Sequence, residues 1–495
     1  MRLRRMKNKF NKLNPTWIAV VLCVVTMFIY WMSYMDIRNI EYPLDNEVSA
    51  YDPYVQQFDA FKKGQLHLDW EVDSRLLELE NPYGRGARAG IDYLWDRALY
   101  EGKYYSYFGV TPIVTVIYPF YLVGGVIPGA ALIQLVYMLM FAVFFPKVLM
   151  LLLDKNSEKV SPIIKVLITY TAYLSSFNLL FGRGKNPFYY IACTAAIAFL
   201  TLFAYLFFKG IYENCHKKRC LYFLFAGLAY ALCFHARVNT AFTAVFFIAP
   251  IVLFKIIGGK IEVKKKLIEL SCLGFFVAIG FGISFAYNYA RFGNALEFGS
   301  IYQLTVTDVS EYKLDISEFD DAVDYYFKSE PKEDIEKGEL VFSDKDKESV
   351  DRYLYVADYF GLFFIPFNVF GLLVAVIIFV RDKSWCYRVT ICATFAGAFI
   401  MAWINFCLGG VIFRYLADFS VEIAVVAAMA IALLFEKSHL FTDKRVKILL
   451  QMVIIFFVLV SIYKIWKILV INSGNLYNIR EDSMIGRIFN VKSKV

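Results

Sequence analysis

The sequence predicts an all-α polytopic membrane protein, and three observations support this: composition, long apolar runs and the distribution of charge. Of the 495 residues, 59% are hydrophobic and 18% aromatic, with a mean hydropathy of +0.51. Only 19% are charged, whereas soluble domains average about a quarter. Apolar runs recur along nearly the whole chain, and each is long enough to cross about 30 Å of hydrocarbon as a helix. The strands of membrane barrels are too short to explain such runs.

About eleven transmembrane helices are predicted, with two large extracytoplasmic loops. The predicted spans are 17–36, 130–153, 162–182, 187–208, 220–235, 238–256, 266–289, 358–380, 387–406, 413–435 and 447–470. They define a cytoplasmic basic N-terminus (1–16), a first span (17–36), an outer segment (37–129), spans two to seven (130–289), a second outer loop (290–357), spans eight to eleven (358–470) and an outer C-terminal tail (471–495). The first span is interpreted as a retained anchor rather than a cleaved signal.

Charge fixes the predicted orientation, because short cytoplasmic loops are enriched in Lys and Arg. The first sixteen residues carry six basic and no acidic side chains, and the turns at 209–219 and 255–266 are also basic. By contrast, residues 36–107 hold fourteen acidic and eight basic side chains, and residues 297–358 hold eighteen and seven. Both acidic loops are therefore predicted to lie outside.

The apolar stretch 108–126 does not fit the count of crossings that this orientation requires. It contains Pro112 and Pro119, and proline removes a helical hydrogen bond and kinks the chain. A broken juxtamembrane or re-entrant helix on the outer side is therefore predicted.

The cysteines and the net charge exclude several classes of function. All nine cysteines lie in or beside spans and neither acidic loop contains one, which argues against a disulfide framework or a thiolate metal site. The net charge of +8 is divided between the two sides of the membrane rather than gathered on one face. A nucleic-acid partner is accordingly not expected.

The first acidic loop contains the candidate catalytic carboxylates, Asp45, Glu47 and Asp52. Asp52 opens the run D-P-Y-V-Q-Q-F, whose aromatic residues recur at helical spacing and predict an amphipathic helix on the membrane surface. Asp52 would then either cap this helix or act as a general base that deprotonates or orients an acceptor. The sequence leaves both roles open.

Aromatic residues gather at the end of the first loop, in W-D-R-A-L-Y-E-G-K-Y-Y-S-Y-F-G-V-T-P. Such residues either anchor the membrane interface or form a wall for a sugar ring or lipid headgroup. The candidate wall residues are Tyr54, Tyr104, Tyr105, Tyr107 and Tyr415. Lys103 is a candidate partner for phosphate.

Cations at the outer ends of spans form a third set, comprising Arg183, Lys185, Arg237 and Arg414. Positive charge on that side runs against the usual bias, and arginine matches phosphate oxygens with two parallel hydrogen bonds. These residues are candidates for binding a donor phosphate. The alternative is pairing with the acidic loops.

The layout resembles the type C glycosyltransferases, which include protein O-mannosyltransferases and the aminoarabinose transferase for lipid A. The family's acidic motif, often Asp-Glu followed by a tyrosine, resembles Asp52-Pro53-Tyr54, although proline replaces glutamate here and Asp45 and Glu47 become the substitutes for the second acid. The segments G-K-Y-Y-S-Y-F-G-V-T-P, Y-N-Y-A-R-F-G-N-A-L-E-F-G and F-R-Y-L-A-D also resemble stretches in bacterial relatives.

The resemblance implies an inverting transfer of a hexosyl or pentosyl group from a polyprenyl-phosphate donor to a glycan, lipid or protein outside the membrane. It implies that a loop-one aspartate acts on the acceptor and that outer arginines hold the donor phosphate. Some members use a divalent cation and others do not, so a metal stays an open expectation. The absence of cysteines outside suits a bacterial plasma membrane.

Other classes of function remain as alternatives. A transporter or flippase would place ionisable residues near the membrane midplane, whereas this chain keeps nearly all its charge at the ends of spans. A polymerase or ligase of O-antigen type would share the polyprenyl substrate but rely on one large late loop.

Overall fold

The computed structural model describes residues 14–34, 52–180, 188–329, 332–334, 339–341, 360–381, 384–438 and 443–471, which are predominantly helical. The helices are α1 (Pro15–Tyr34), α2 (Pro53–Lys62), α3 (Ser74–Leu77), α4 (Tyr118–Gly124), α5 (Ala130–Asn156), α6 (Pro162–Ser175), α7 (Phe188–Tyr212), α8 (His216–Ala236), α9 (Val238–Ile251), α10 (Val263–Phe292), α11 (Phe319–Val323), α12 (Pro366–Arg381), α13 (Trp385–Gly409), α14 (Ser420–Lys437) and α15 (Lys444–Ile471). The strands are β1 (Ala98–Tyr100), β2 (Lys103–Tyr105), β3 (Lys332–Asp334) and β4 (Glu339–Val341), paired as two antiparallel hairpins.

The prediction of an all-α polytopic membrane protein is confirmed. Within the part of the chain that the structure describes, eight helices are long and apolar enough to cross a membrane. They are α1, α5, α7, α8, α9 with its π-helical extension Val252–Ile257, α10, α13 and α15. The other three predicted spans coincide with α6, α12 and α14, of which α6 and α12 are shorter and α14 carries Glu422, Glu436 and Lys437.

Residues 108–126, for which a broken helix is predicted, contain a π turn (Ile113–Ile117) followed by α4. The two together form an apolar helix from Ile113 to Gly124. At about 1.5 Å per residue, this helix is shorter than the hydrocarbon core of a bilayer. Gly125 ends it in the left-handed conformation, with φ of 68°.

The long helices form one bundle with a continuous apolar core. α7 packs between α5 and α8, and α8 packs in turn against α10. Small residues permit the last contact: a Cβ on Gly227 would lie 2.2 Å from the carbonyl oxygen of Leu273, and one on Gly280 would lie 2.8 Å from the Cβ of Ala231. Close approach of this kind is typical of helices packed in membranes.

Segments from both acidic loops fold together at one end of the bundle, which we call the loop end. A small core there contains Leu68, Leu76, Leu94, Leu99, Tyr104 and Leu304. The β1–β2 hairpin turns through Glu101 and Gly102, both with positive φ (46° and 71°), as a two-residue turn of this kind requires. Ala98 of the hairpin also pairs with Gln303, so the two loops form one unit.

Candidate functional site

Asp52 is the N-cap of α2, one of the two roles that the sequence allows. Its Oδ1 accepts hydrogen bonds from the backbone N–H groups of Tyr54 (2.8 Å) and Val55 (3.4 Å), and Pro53 occupies the first turn. The residue is only 3% exposed. Burial raises the pKa of the Asp52 carboxyl to about 6, against the opposing effects of the two backbone bonds and of the nearby Arg97 charge. A cap with such a pKa can also exchange a proton near neutral pH.

Arg97 is the buried cation beside Asp52. Its Nε donates to the Oε1 of Gln56 at 2.8 Å, one turn into α2. One Nη donates to the carbonyl oxygens of Trp95 (3.1 Å) and Asp96 (3.3 Å). Burial lowers the pKa of this guanidinium. These bonds fix the end of loop one against α2.

Asp96 is the second buried carboxylate at the loop end, 8% exposed. It adopts φ of 53°, a conformation that Asp tolerates better than most residues. Its backbone N–H donates to the carbonyl of Leu304 at 3.0 Å, and the N–H of Leu304 donates to the carbonyl of Arg97 at 2.9 Å. The hydroxyl of Tyr189, at the start of α7, donates to the Asp96 carboxylate. Asp96 thereby links the two loops to the bundle.

Arg414 lies beside Tyr189. Its guanidinium carbon is 4.9 Å from the ring centre of Tyr189 and 5.4 Å from the ring centre of Tyr415. Such distances are typical of cation–π contacts. The thiol of Cys193, one turn further along α7, donates to the Arg414 carbonyl at 3.6 Å. Among the residues that the structure describes, no carboxylate forms an ion pair with Arg414.

Arg237, by contrast, has a carboxylate partner. Its Nε and Nη donate to the two oxygens of Asp418 at 2.5 and 2.7 Å, and the Asp418 side chain is fully buried. Asp418 also accepts hydrogen bonds from Thr240 (2.7 Å) and Asn405 (3.0 Å). A buried charge pair with this geometry joins α8, α9 and the segment Phe413–Asp418. The charge of Arg237 is thus balanced inside the bundle by Asp418.

The remaining candidate residues differ in how far they are exposed. Lys103 is exposed at the start of β2. Tyr54, Tyr104 and Tyr105 are 0%, 1% and 8% exposed and pack into hydrophobic clusters. Tyr107 stacks on Phe108 with ring centres 4.4 Å apart, and Tyr415 lies between Arg414 and Arg237, 5.1 Å from the latter. Tyr107 and Tyr415 are half-buried. Asp45, Glu47, Arg183 and Lys185 lie outside the described residues.

Four residues of the site are missing from the sequence prediction: Asp96, Arg97, Tyr189 and Asp418. Three of them lie in segments that carry other candidate residues, Asp96 and Arg97 at the start of the aromatic segment of loop one and Asp418 at the end of F-R-Y-L-A-D. The sequence signal for the two aspartates is an acidic residue close to an arginine at the predicted outer end of a span. Tyr189 has no such signal, because it lies at the start of an ordinary apolar helix.

A metal ion has no evident set of ligands in the described ranges, where no three His, Cys, Asp or Glu side chains come together. Asp52 already accepts from backbone amides and Asp96 from Tyr189. Asp45 and Glu47, the substitutes for the family's second acid, fall outside these ranges.

Fold and site together define a class: a multi-pass membrane protein with a buried cluster of aspartate, arginine and tyrosine at one end of its helical bundle. No protein-family model matches the chain. No curated protein matches it either.

Solved structures of an archaeal oligosaccharyltransferase, AglB of Archaeoglobus fulgidus, are similar to the chain. The apo form is 12% identical with a TM-score of 0.47, covering 95% of this chain and 59% of its own. The complex with an inhibitory peptide and a dolichol-phosphate is 12% identical with a TM-score of 0.48, covering 92% and 55%. The oligosaccharyltransferase complex with Zn and sulfate is 13% identical with a TM-score of 0.46, covering 91% and 52%.

The chain therefore spans rather more than half the length of the structures that it matches.

Proposed function

We propose that the chain is a glycosyltransferase that moves a sugar from a polyprenyl-phosphate-linked donor to an acceptor outside the membrane. One observation carries the proposal: a buried carboxylate of raised pKa, Asp52, and an arginine without a described carboxylate partner, Arg414, belong to one cluster at the loop end. Arg97, Asp96 and Tyr189 connect the two. A lipid phosphate and a soluble acceptor meet at such a boundary between apolar helices and polar loops.

The chemistry requires a base on one side of the sugar and a cation on the other. The acceptor hydroxyl oxygen attacks the anomeric carbon from the face opposite the phosphate, and Asp52 takes the hydroxyl proton. The bond between the anomeric carbon and the phosphate oxygen breaks, and its electron pair leaves with the polyprenyl phosphate. Arg414 balances the charge that this phosphate gains. The product carries the inverted anomeric configuration.

The other members of the cluster hold these two groups in position. Asp96 and Tyr189 orient Arg414 through the ring beneath its guanidinium. Arg97 favours the ionised form of Asp52. The pair of Arg237 and Asp418 fixes the segment that carries Arg414 and Tyr415. Tyr107 and Tyr415 are the aromatic residues best placed to contact the sugar.

One observation favours the rival class of transporters or flippases. Glu422 lies within α14, is 4% exposed, and neither of its carboxylate oxygens has a hydrogen-bond partner among the described residues. It lines a small cavity of about 30 Å³ together with Thr201. Ionisable residues inside spans often mark transport pathways.

The deciding experiment is donor consumption by the purified protein in lipid nanodiscs, offered a panel of radiolabelled polyprenyl-phosphate sugars. We expect one donor to be cleaved by wild type and far more slowly by Asp52→Asn or Arg414→Ala, with all three proteins folded. If wild type neither binds nor cleaves any donor, the glycosyltransferase proposal fails. Flux measurements in proteoliposomes with Glu422→Gln would then test transport.

The pKa of Asp52 predicts the pH dependence of the reaction. The base must be ionised, so kcat/KM should fall about tenfold per pH unit below about pH 6 and level off above it. Initial rates between pH 4.5 and 8 measure this profile. A profile without this acidic limb, or the same limb in the residual activity of Asp52→Asn, would contradict the role of Asp52.

Loss of the Arg414 charge should weaken donor binding. We expect Arg414→Ala to raise the donor KM by about ten- to a hundredfold, the usual worth of a hydrogen bond to a charged group, and Arg414→Lys to recover part of this loss. Lys313→Ala is the matched control, because it removes one exposed positive charge from the second loop. Equal effects of Arg414→Ala and Lys313→Ala would show that only net charge matters.

A further inference from the structure

A groove of mixed polar and apolar lining lies between two segments of the loop end, one from each acidic loop. It has a volume of about 750 Å³ and is lined by Leu79, Glu80, Asn81, Tyr83 and Ala87 on one side and Asp308 and Ser310 on the other. None of these residues takes part in the proposed transfer step. A volume of this size accommodates a ligand larger than a single water or ion.

Specific bonds join the two walls of the groove and fix their relative position. The Asn81 amide donates to Asp308 Oδ2 at 2.8 Å. Arg88, only 1% exposed, donates to the carbonyl of Thr305 at 2.5 Å and stacks at 4.4 Å on Tyr93. The groove is thus formed before any ligand enters, which lowers the entropic cost of binding.

The lining disfavours a negatively charged ligand, because Asp308 is a carboxylate that already accepts hydrogen bonds from Asn81 and Ser310. Burial alone would raise the pKa of Asp308, but hydrogen bonds from Asn81 and Ser310 hold it below its ordinary value, so this carboxylate is an acceptor only. Glu80 adds a second, exposed carboxylate, and Tyr83 offers a half-buried ring. Two carboxylates repel phosphates, whereas the hydroxyl groups and apolar ring faces of a sugar suit such a surface.

The groove is connected to the candidate site through the backbone. Leu304, four residues before Asp308, exchanges hydrogen bonds with Asp96 and Arg97. On the opposite wall, the Tyr83 hydroxyl donates at 3.0 Å to the carbonyl of Leu99 in β1, which follows Arg97 directly. Each wall therefore leads to the residues next to Asp52 and Arg414.

We propose that this groove binds the acceptor of the reaction, and that the acceptor is a neutral glycan chain. This inference rests on the proposed function, and it assigns a substrate class to a surface outside the transfer site.

The test fills the groove without touching the catalytic cluster. Ala87→Trp places an indole on the groove wall, and Ala89→Trp makes the same change at an exposed position of the same loop that does not line the groove. Calorimetry with purified protein and the neutral tetrasaccharides of mannose, glucose and N-acetylglucosamine measures binding without any donor. We expect wild type and Ala89→Trp to bind at least one of them, and Ala87→Trp to bind it at least about tenfold more weakly.

Transfer assays then separate this inference from the proposed function. Ala87→Trp should raise the acceptor KM about tenfold and leave the donor KM unchanged. Failure of donor cleavage by wild type would refute the proposed function, while the binding result would still decide what the groove takes. The groove proposal is overturned if no tetrasaccharide binds wild type, if both tryptophan variants bind equally, or if the groove binds Ca²⁺ and no sugar.

Discussion

Replacing Asp52 by Asn is expected to lower the rate of sugar transfer at least about a hundredfold and to leave the protein folded. A positioned general base contributes about 10²- to 10⁴-fold, and the Asn amide cannot take the acceptor's proton. Asn is as good an N-cap as Asp, so the hydrogen bonds to Tyr54 and Val55 have a replacement acceptor. Transfer rates and thermal unfolding of the same preparations measure the two effects separately.

Two further variants make this result specific. Asp59→Asn removes the same charge from the same helix at a partly exposed site paired with Lys62, and near-normal transfer is expected. Asp52→Ala removes the cap as well, so it should also lose about 1 kcal/mol of stability. Loss of transfer in Asp59→Asn, or full activity in Asp52→Asn, would remove Asp52 from the mechanism.

The stability of Asp52→Asn should also depend on pH in a defined direction. Burial raises the folded-state pKa of Asp52 from its ordinary value to about 6, so ionisation of this carboxyl is less favourable in the folded than in the unfolded protein. Wild type therefore loses stability as pH rises from about 4 to 6, whereas Asn does not titrate. The unfolding temperature of the variant relative to wild type should be higher at pH 7 than at pH 4.

Replacing Asp418 by Ala is expected to cost about 3–5 kcal/mol of stability, the usual penalty for leaving one member of a buried ion pair alone. Arg237 would keep its charge without a carboxylate, and Thr240 and Asn405 would lose their acceptor. The unfolding temperature of the detergent-solubilised protein measures the loss. Arg237→Met should destabilise the protein for the same reason.

The double variant Arg237→Met with Asp418→Ala provides the internal control. Replacing both members by apolar residues removes the isolated charge, so this variant should be more stable than either single one. A double variant destabilised by the sum of the single effects would show that the two charges act independently. The bidentate contact would then have little energetic weight.

Much of the helical architecture could be predicted from the sequence because it depends on local patterns. The predicted span 266–289 corresponds to α10, Val263–Phe292, and the apolar runs elsewhere coincide with helices in the same way. Asp52 could be placed at a helix start from Asp-Pro alone. Helical periodicity and caps involve residues a few positions apart, which is the range that a single sequence reports.

The composition of the site could be predicted only in part, because it depends on pairs far apart in the chain. Arg237 and Asp418 are 181 residues apart, and Asp96 and Tyr189 are 93 apart. Apolar runs indicate which helices form and not which of them are neighbours. The sequence therefore predicts that Arg237 faces a phosphate or the acidic loops. It does not identify Asp418 as the partner of Arg237.

The tyrosines illustrate a different difficulty. A tyrosine has an apolar ring and one polar atom, and it serves equally well at an interface and inside a core. Neighbouring residues Tyr104 and Tyr105 point to opposite faces of β2, yet each face is covered, one by Leu76, Leu94 and Leu304 and the other by Ala98 and Phe292. The second loop supplies part of this cover, which local periodicity cannot reveal.

The backbone hydrogen bonds between Leu304 and the segment Asp96–Arg97 have a consequence for the synthesis of the protein. During synthesis, Asp52 leaves the ribosome early, whereas Leu304 emerges only after α10, and Arg414 and Asp418 later still. A nascent chain that has inserted only its first helices therefore contains Asp52 but lacks Leu304, whose backbone hydrogen bonds order Asp96 and Arg97. It also lacks Arg414, the cation of the cluster. On the proposed function, the site is therefore complete only after the segment Phe413–Asp418 has been synthesised and inserted.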